Sequence, residues 1–156
     1  MSKPTRIRYS LPLVSLLEIG EDNFFSYFFA MKEVTVGILI QDGLVLSCQR
    51  KRTATYPLKW EFPGGKIEPG ESPRTALIRE LQEELSITVE PETEFFRQEW
   101  DYGDQSFRVY YYCVRSFSGI PKNMAFEQIR WVNPVTLLMM DILDGNREVV
   151  NKLVGG

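Results

Sequence analysis

Histidine is absent from this chain. That removes the usual imidazole base, the histidine-activated nucleophile and the common catalytic zinc site, so metal binding and proton transfer fall to carboxylates. Only two cysteines are present, Cys48 and Cys113, each within an apolar strand-like run. Their number and spacing fit neither a disulfide framework nor a thiolate metal site; they read as buried free thiols in a reducing compartment. Positive charge is not in excess: 18 Lys and Arg stand against 21 Asp and Glu, which argues against a stable nucleic-acid partner. No apolar run is long enough to span a membrane. The nearest approach, Leu11 to Leu17 after Lys3, Arg6 and Arg8, has the layout of a secretory signal. Pro12 interrupts it, Glu18 ends it and no small-residue cleavage pattern follows. A cytoplasmic protein without membrane contact is the expectation. Repeats and low-complexity tracts are also missing, and 44% apolar residues suffice for one core.

The strongest positive feature is the stretch from Gly65 to Ile87, GKIEPGESPRTALIRELQEELSI. Ser72 is placed to N-cap a helix, and Pro73 falls at the first helical position, where a missing N–H costs nothing. Leu77, Leu81 and Leu85 recur every four residues and form a stripe to bury. Glu80, Glu83 and Glu84 sit at i, i+3 and i+4, together on the flank of that stripe. Like charges so close repel, and hard cations that prefer oxygen ligands are the natural counter-charge. Upstream, Pro63-Gly64-Gly65 and Pro69-Gly70 predict a loop whose glycines let the backbone come near a ligand or metal.

Around this segment the pattern predicts strands at 33–40 and 44–49, with Asp42-Gly43 as the hairpin turn between them. Further strands are expected at 60–62, 94–102, 106–115 and 127–132, then a helical turn after Pro134 and a terminal helix near 146–154. Strands and helices mix without a βαβ rhythm, so the class is α+β.

The stretch resembles the signature of the Nudix hydrolases: Gly, five residues, Glu, seven residues, Arg-Glu-aliphatic-any-Glu-Glu-any-Gly-aliphatic. Gly65, Glu71, Arg79, Glu80, Leu81, Glu83, Glu84 and Ile87 match in order and spacing, and Ser86 stands where the pattern has its last glycine. Trp60 to Glu68, WEFPGGKIE, is similar to the MutT-type branch, which cleaves nucleoside triphosphates. The resemblance implies a Nudix domain over 31–156, a mixed β-sheet sandwiched between α-helices. It leaves residues 1–30 as an extension, with Met31 a candidate functional start. It further implies Mg2+, or Mn2+, held by Glu80, Glu83, Glu84 and the Gly64 carbonyl. Arg79 would orient the acids, Glu71 would brace the loop, and Glu80 would be the first candidate for general base. The implied reaction converts a nucleoside triphosphate, with 8-oxo-dGTP favoured, to the monophosphate and pyrophosphate. The alternatives are a CTP or pyrimidine triphosphate hydrolase, an enzyme acting on RNA 5′ ends, and a catalytically silent nucleotide-binding regulator. The intact Arg-Glu-Leu-Gln-Glu-Glu run argues against the silent module.

Other residues read two ways. Arg50, with Lys51 and Arg52, is either a solvated hairpin end or a phosphate-binding guanidinium, and its place near the glycine loop favours the second. Glu127 is either a solvated acid at a strand start or the further metal-reaching acid that many relatives carry there. Asn146 is either a helix N-cap or, because NREVVNKL resembles the end of the MutT-type domain where an asparagine meets the guanine base, the residue for an oxidised guanine, whose edge suits an amide's donor and acceptor. Phe107 and Tyr110 to Tyr112 are expected mostly in the core, while Tyr102 is weakly similar to a marker tyrosine of dinucleoside polyphosphate hydrolases.

Overall fold

Alternation along the first strand dictates a layered architecture. β1 (Lys32–Gln41) contributes Val36 and Ile38 to one core and Leu39 to another, so both faces of the sheet need cover. The structure, a computed structural model, describes residues 31–156; the expectations for the extension at 1–30 lie outside the described residues. β2 (Leu44–Gln49) folds back on β1 through Asp42 and Gly43, both at positive φ, as an Asp-Gly hairpin should. On the other edge of β1, β7 (Gln105–Val114) runs parallel, and β6 (Glu94–Tyr102) pairs antiparallel with it. β3 (Trp60–Glu61) and β9 (Gln128–Val132) pair with β2, and β4 (Gly64–Lys66) pairs with β1. The result is a mixed seven-stranded sheet.

Helices close both faces. α1 (Pro73–Leu85) begins where the sequence says it should: the Ser72 hydroxyl accepts the Thr75 N–H at 3.1 Å, and Pro73 opens the first turn. Leu77, Leu81 and Leu85 are wholly buried against Leu39, Leu46 and Val114. α1 ends at Ser86 with φ 56°, the left-handed cap position that glycine occupies in the family pattern. A side chain there costs about 1 kcal/mol, and the turn forms regardless. On the opposite face, α2 (Pro134–Leu137) and α3 (Arg147–Gly155) bring Leu137, Val149 and Val150 onto Val36, Ile38 and Tyr111. This is the expected α+β sandwich. Cys48 and Cys113 are buried and free, and Tyr110, Tyr111 and Tyr112 are buried. Among the described residues no helix is long and apolar enough to cross a membrane.

Three local expectations need correction. β3 stops at Glu61, and the glycine segment read as loop contains β4, with Gly64 beside Val36 and Gly65 beside Thr35. The absence of side chains makes this possible: a Cβ on Gly64 would lie 2.1 Å from the Thr35 carbonyl oxygen. β9 starts at Gln128, one residue later than expected. A small second sheet, β5 (Thr88–Glu90) with β8 (Ser116–Ser118), has segments too short for a period-two pattern to register.

Candidate active site

The acids of α1 are organised by one guanidinium. Arg79 donates from Nε and Nη2 to the two oxygens of Glu71, at 2.8 and 2.9 Å, and from Nη1 to Glu80 at 2.8 Å. It also donates to the Lys66 carbonyl at 3.0 Å, and Glu83 lies 3.6 Å away. Glu71 additionally accepts the Glu68 N–H, so one carboxylate ties the loop after β4 to the middle of α1. The Arg79 bonds, then the Glu68 N–H, hold the Glu71 carboxyl down to about 2. Glu80 is close against Gly65, where a Cβ would meet its carboxyl carbon at 2.3 Å. Glycine at 65 is therefore a condition for placing Glu80.

Glu84, one turn further along, accepts the Gly64 N–H at 3.0 Å. Burial, against that hydrogen bond and reinforced by Glu80, Glu61 and Glu83, pushes its carboxyl up to about 8. A buried acid crowded by acids lacks counter-charge, which is the condition a hard divalent cation relieves. The donor set, all oxygen and free of histidine and thiolate, fits Mg2+ or Mn2+. With Arg79 drawing Glu71 and Glu80 to itself and Glu83 turned outward, no three acidic or cysteine side chains converge at metal-holding distance among the described residues.

Glu84 borders a cleft of about 690 Å³, a size that suits a nucleotide. Of the candidate site residues named from the sequence, Arg50, Gly64, Glu84 and Asn146 line it, and Glu71, Arg79, Glu80 and Glu83 do not. Arg50 donates from Nη1 to Glu61 at 2.8 Å and from Nε to the Thr55 carbonyl at 2.7 Å. Glu61, whose carboxyl is raised by burial and partly restored by Arg50, also lines the cleft. Sequence reasoning missed it as a site residue; its only signal is its position, three residues before Gly64. Glu127 is not brought into the lining. It lies next to β2, its N–H donating to the Gln49 carbonyl and its carboxylate accepting from Arg52 at 3.1 Å.

Asn146 corrects one alternative. Its backbone is already helical, its side chain makes no capping bond to α3, and its residue exposure is only 6%. The amide oxygen is buried without a hydrogen-bond partner. Helix capping therefore does not explain the residue. Its neighbours on the cleft wall include Gln98, Trp100, Tyr102 and Phe107, contributed by β6 and β7. Tyr102 and Phe107 meet edge to face with ring centres 5.9 Å apart, so these two belong to the cleft and not to the closed core.

Fold and site together define a hydrolase of phosphoric anhydrides, and comparison with known proteins agrees. The NUDIX domain family matches residues 31–153, and the chain belongs to that family, in its MutT-type branch. It is 33% identical over 122 residues, 78% of this chain and 95% of the relative, to the 8-oxo-dGTP diphosphatase of Escherichia coli K12. It is also 33% identical over 104 residues, 67% of this chain and 77% of the relative, to the CTP pyrophosphohydrolase of the same organism. Among solved structures, the E. coli ORF135 protein superposes with a TM-score of 0.75 at 28% identity, covering 81% of this chain and 91% of that one.

Proposed function

We propose that this chain is a magnesium-dependent nucleoside triphosphate pyrophosphohydrolase that favours 8-oxo-dGTP and cleanses the nucleotide pool. One observation carries the reading: a single cleft is lined by Gly64, Glu84 and Asn146, and the Asn146 amide oxygen is buried without a hydrogen-bond partner. The first two suit a divalent cation that would meet the phosphates, and the third a base edge that donates N–H. Identity to an 8-oxo-dGTP diphosphatase over most of both chains supports the same substrate.

In this reading Glu80, Glu83, Glu84 and the Gly64 carbonyl hold Mg2+ or Mn2+, which when bound neutralises phosphate oxygens and acidifies water. Arg79 keeps Glu80 in register and Glu71 braces the loop to the helix. Arg50, steadied by Glu61 and the Thr55 carbonyl, offers its guanidinium to the phosphates. The oxygen of water bonds to phosphorus while the anhydride P–O bond breaks, and pyrophosphate leaves with the electron pair. Glu80, whose Oε1 is held by Arg79, is the first candidate to take the water proton. Glu127 is the second candidate for that proton, and a base there would have to release Arg52.

CTP is the second reading, favoured by the identity to a CTP pyrophosphohydrolase and by the same amide oxygen, which suits the amino group of cytosine. Incubating the protein with Mg2+ and a panel of nucleoside triphosphates decides between the two. The highest kcat/KM is expected on 8-oxo-dGTP; a preference for CTP would replace the substrate and leave the metal site intact.

A further inference from the structure

Asn146 has no capping bond to fix it, yet the residue before it is held on both sides. The Gly145 N–H donates to the Tyr102 hydroxyl at 2.9 Å. The Gly145 carbonyl accepts from the Tyr111 hydroxyl at 3.2 Å and from Gln98 Nε2. Gln98 Nε2 also donates to the Tyr111 hydroxyl at 2.9 Å, so the three side chains are joined into one network through the Gly145 backbone. Two strands, β6 and β7, thus grip the single turn of 3₁₀ helix, Asp144–Asn146, that delivers the amide. The fit leaves no room: a Cβ on Gly145 would sit 2.5 Å from the Tyr102 hydroxyl and 3.3 Å from Trp100. Nothing in this arrangement belongs to the signature or to the metal acids.

We infer that Gln98, Tyr102 and Tyr111 are positioning residues for base selection, acting through Gly145 to aim the Asn146 amide. The inference rests on the proposed reading of Asn146. An amide must be aimed to discriminate, because a donor and an acceptor edge differ by one rotation of the same group. Burying it without a local cap leaves the backbone clamp as the means of aiming. The tyrosine at 102, which in the sequence looks like a weak substrate marker, becomes in this account an acceptor committed to the Gly145 N–H.

The test compares Tyr102→Phe, Gln98→Leu and Asn146→Ala with wild type on 8-oxo-dGTP, dGTP, CTP and UTP, recording kcat and KM separately with melting temperature and magnesium dependence. Tyr102→Phe keeps the ring and removes only the hydroxyl that accepts the Gly145 N–H. Tyr110→Phe serves as control, since that hydroxyl pairs with Glu33 and is not in the cleft wall. Both clamp variants should compress the ratio of kcat/KM between best and poorest base by about fivefold to tenfold, expressed in KM, as lost hydrogen-bond complementarity does. Magnesium dependence and kcat should hold within about twofold, as for loss of ground-state binding, and the control should not move the ratio. If Asn146→Ala compresses the ratio and neither clamp variant does, the clamp is structural only and the inference is overturned alone. If Asn146→Ala leaves the ratio untouched, the reading of the base pocket falls and takes the inference with it. Should Gln98→Leu fail to fold, Tyr102→Phe decides by itself.

Discussion

The proposed phosphate and base ends of the cleft are built in opposite ways. At the phosphate end, Gly64 to Glu84 form one continuous segment, a short strand, a loop and a helix, whose members contact one another within 20 residues. At the base end, Gln98, Tyr102, Tyr111 and Gly145 come from distant parts of the chain, with hydrogen bonds that span up to 47 residues. Charge dominates the first end and neutral hydrogen bonding the second. A charged array aimed at phosphate serves any nucleotide, whereas amide and hydroxyl geometry distinguishes one base from another. Chemistry and specificity should therefore be separable by mutation.

The widest separation is expected from Glu83→Gln. The Glu83 side chain is mostly exposed, so the fold should persist while turnover falls by on the order of a hundredfold on every nucleotide. Steady-state kinetics at saturating magnesium, with circular dichroism as the folding control, measure it. Unaltered turnover in the folded variant would remove Glu83 from the metal set. Next in size is Gly65→Ala. The added methyl lands on the Glu80 carboxyl, and displacing a catalytic group by about 1 Å costs on the order of tenfold to a hundredfold. Both predictions concern kcat and should spare base preference.

Asn146→Ala should do the reverse, narrowing the ratio of kcat/KM for 8-oxo-dGTP over dGTP by about tenfold, the value of one buried hydrogen-bonded pair. Because the side chain caps nothing, the melting temperature should change little, and a large drop would mean that its buried amide holds the fold. The smallest effect is at Ser86. Replacing a left-handed serine by glycine should stabilise the protein by up to about 1 kcal/mol, read by chemical denaturation, with no change in kinetics at either end of the cleft.

The same contrast explains what could be read from the chain. Ser72, Pro73, the leucine stripe and the acids of α1 were legible because helix periodicity and capping are local rules, and each of these residues obeys them. The Asp42-Gly43 hairpin was legible for the same reason. The pairing of Gly64 and Gly65 with β1 was not, since a glycine-rich stretch lacks the side-chain alternation that marks a strand. Glu61 gave no sign of its role because its value comes from burial beside Glu84 and from Arg50 across the β2–β3 loop. Asn146 was ambiguous from sequence, where capping and base recognition ask for the same side chain; only its backbone angles and its buried oxygen separate them. The clamp on Gly145 was invisible because tyrosines at 102 and 111 look alike in a strand. Their partners are fixed by how β6 and β7 meet the turn before α3.

The central claim, that this cleft hydrolyses a nucleoside triphosphate between the α and β phosphates, is tested most directly by identifying the products. Purified protein is incubated with Mg2+ and 8-oxo-dGTP, and nucleotide and phosphate products are quantified together by anion-exchange chromatography. The expected result is 8-oxo-dGMP and pyrophosphate in equal amounts, abolished by chelating the metal and strongly reduced by Glu83→Gln. Release of orthophosphate with 8-oxo-dGDP, or hydrolysis indifferent to magnesium and to Glu83, would contradict the account.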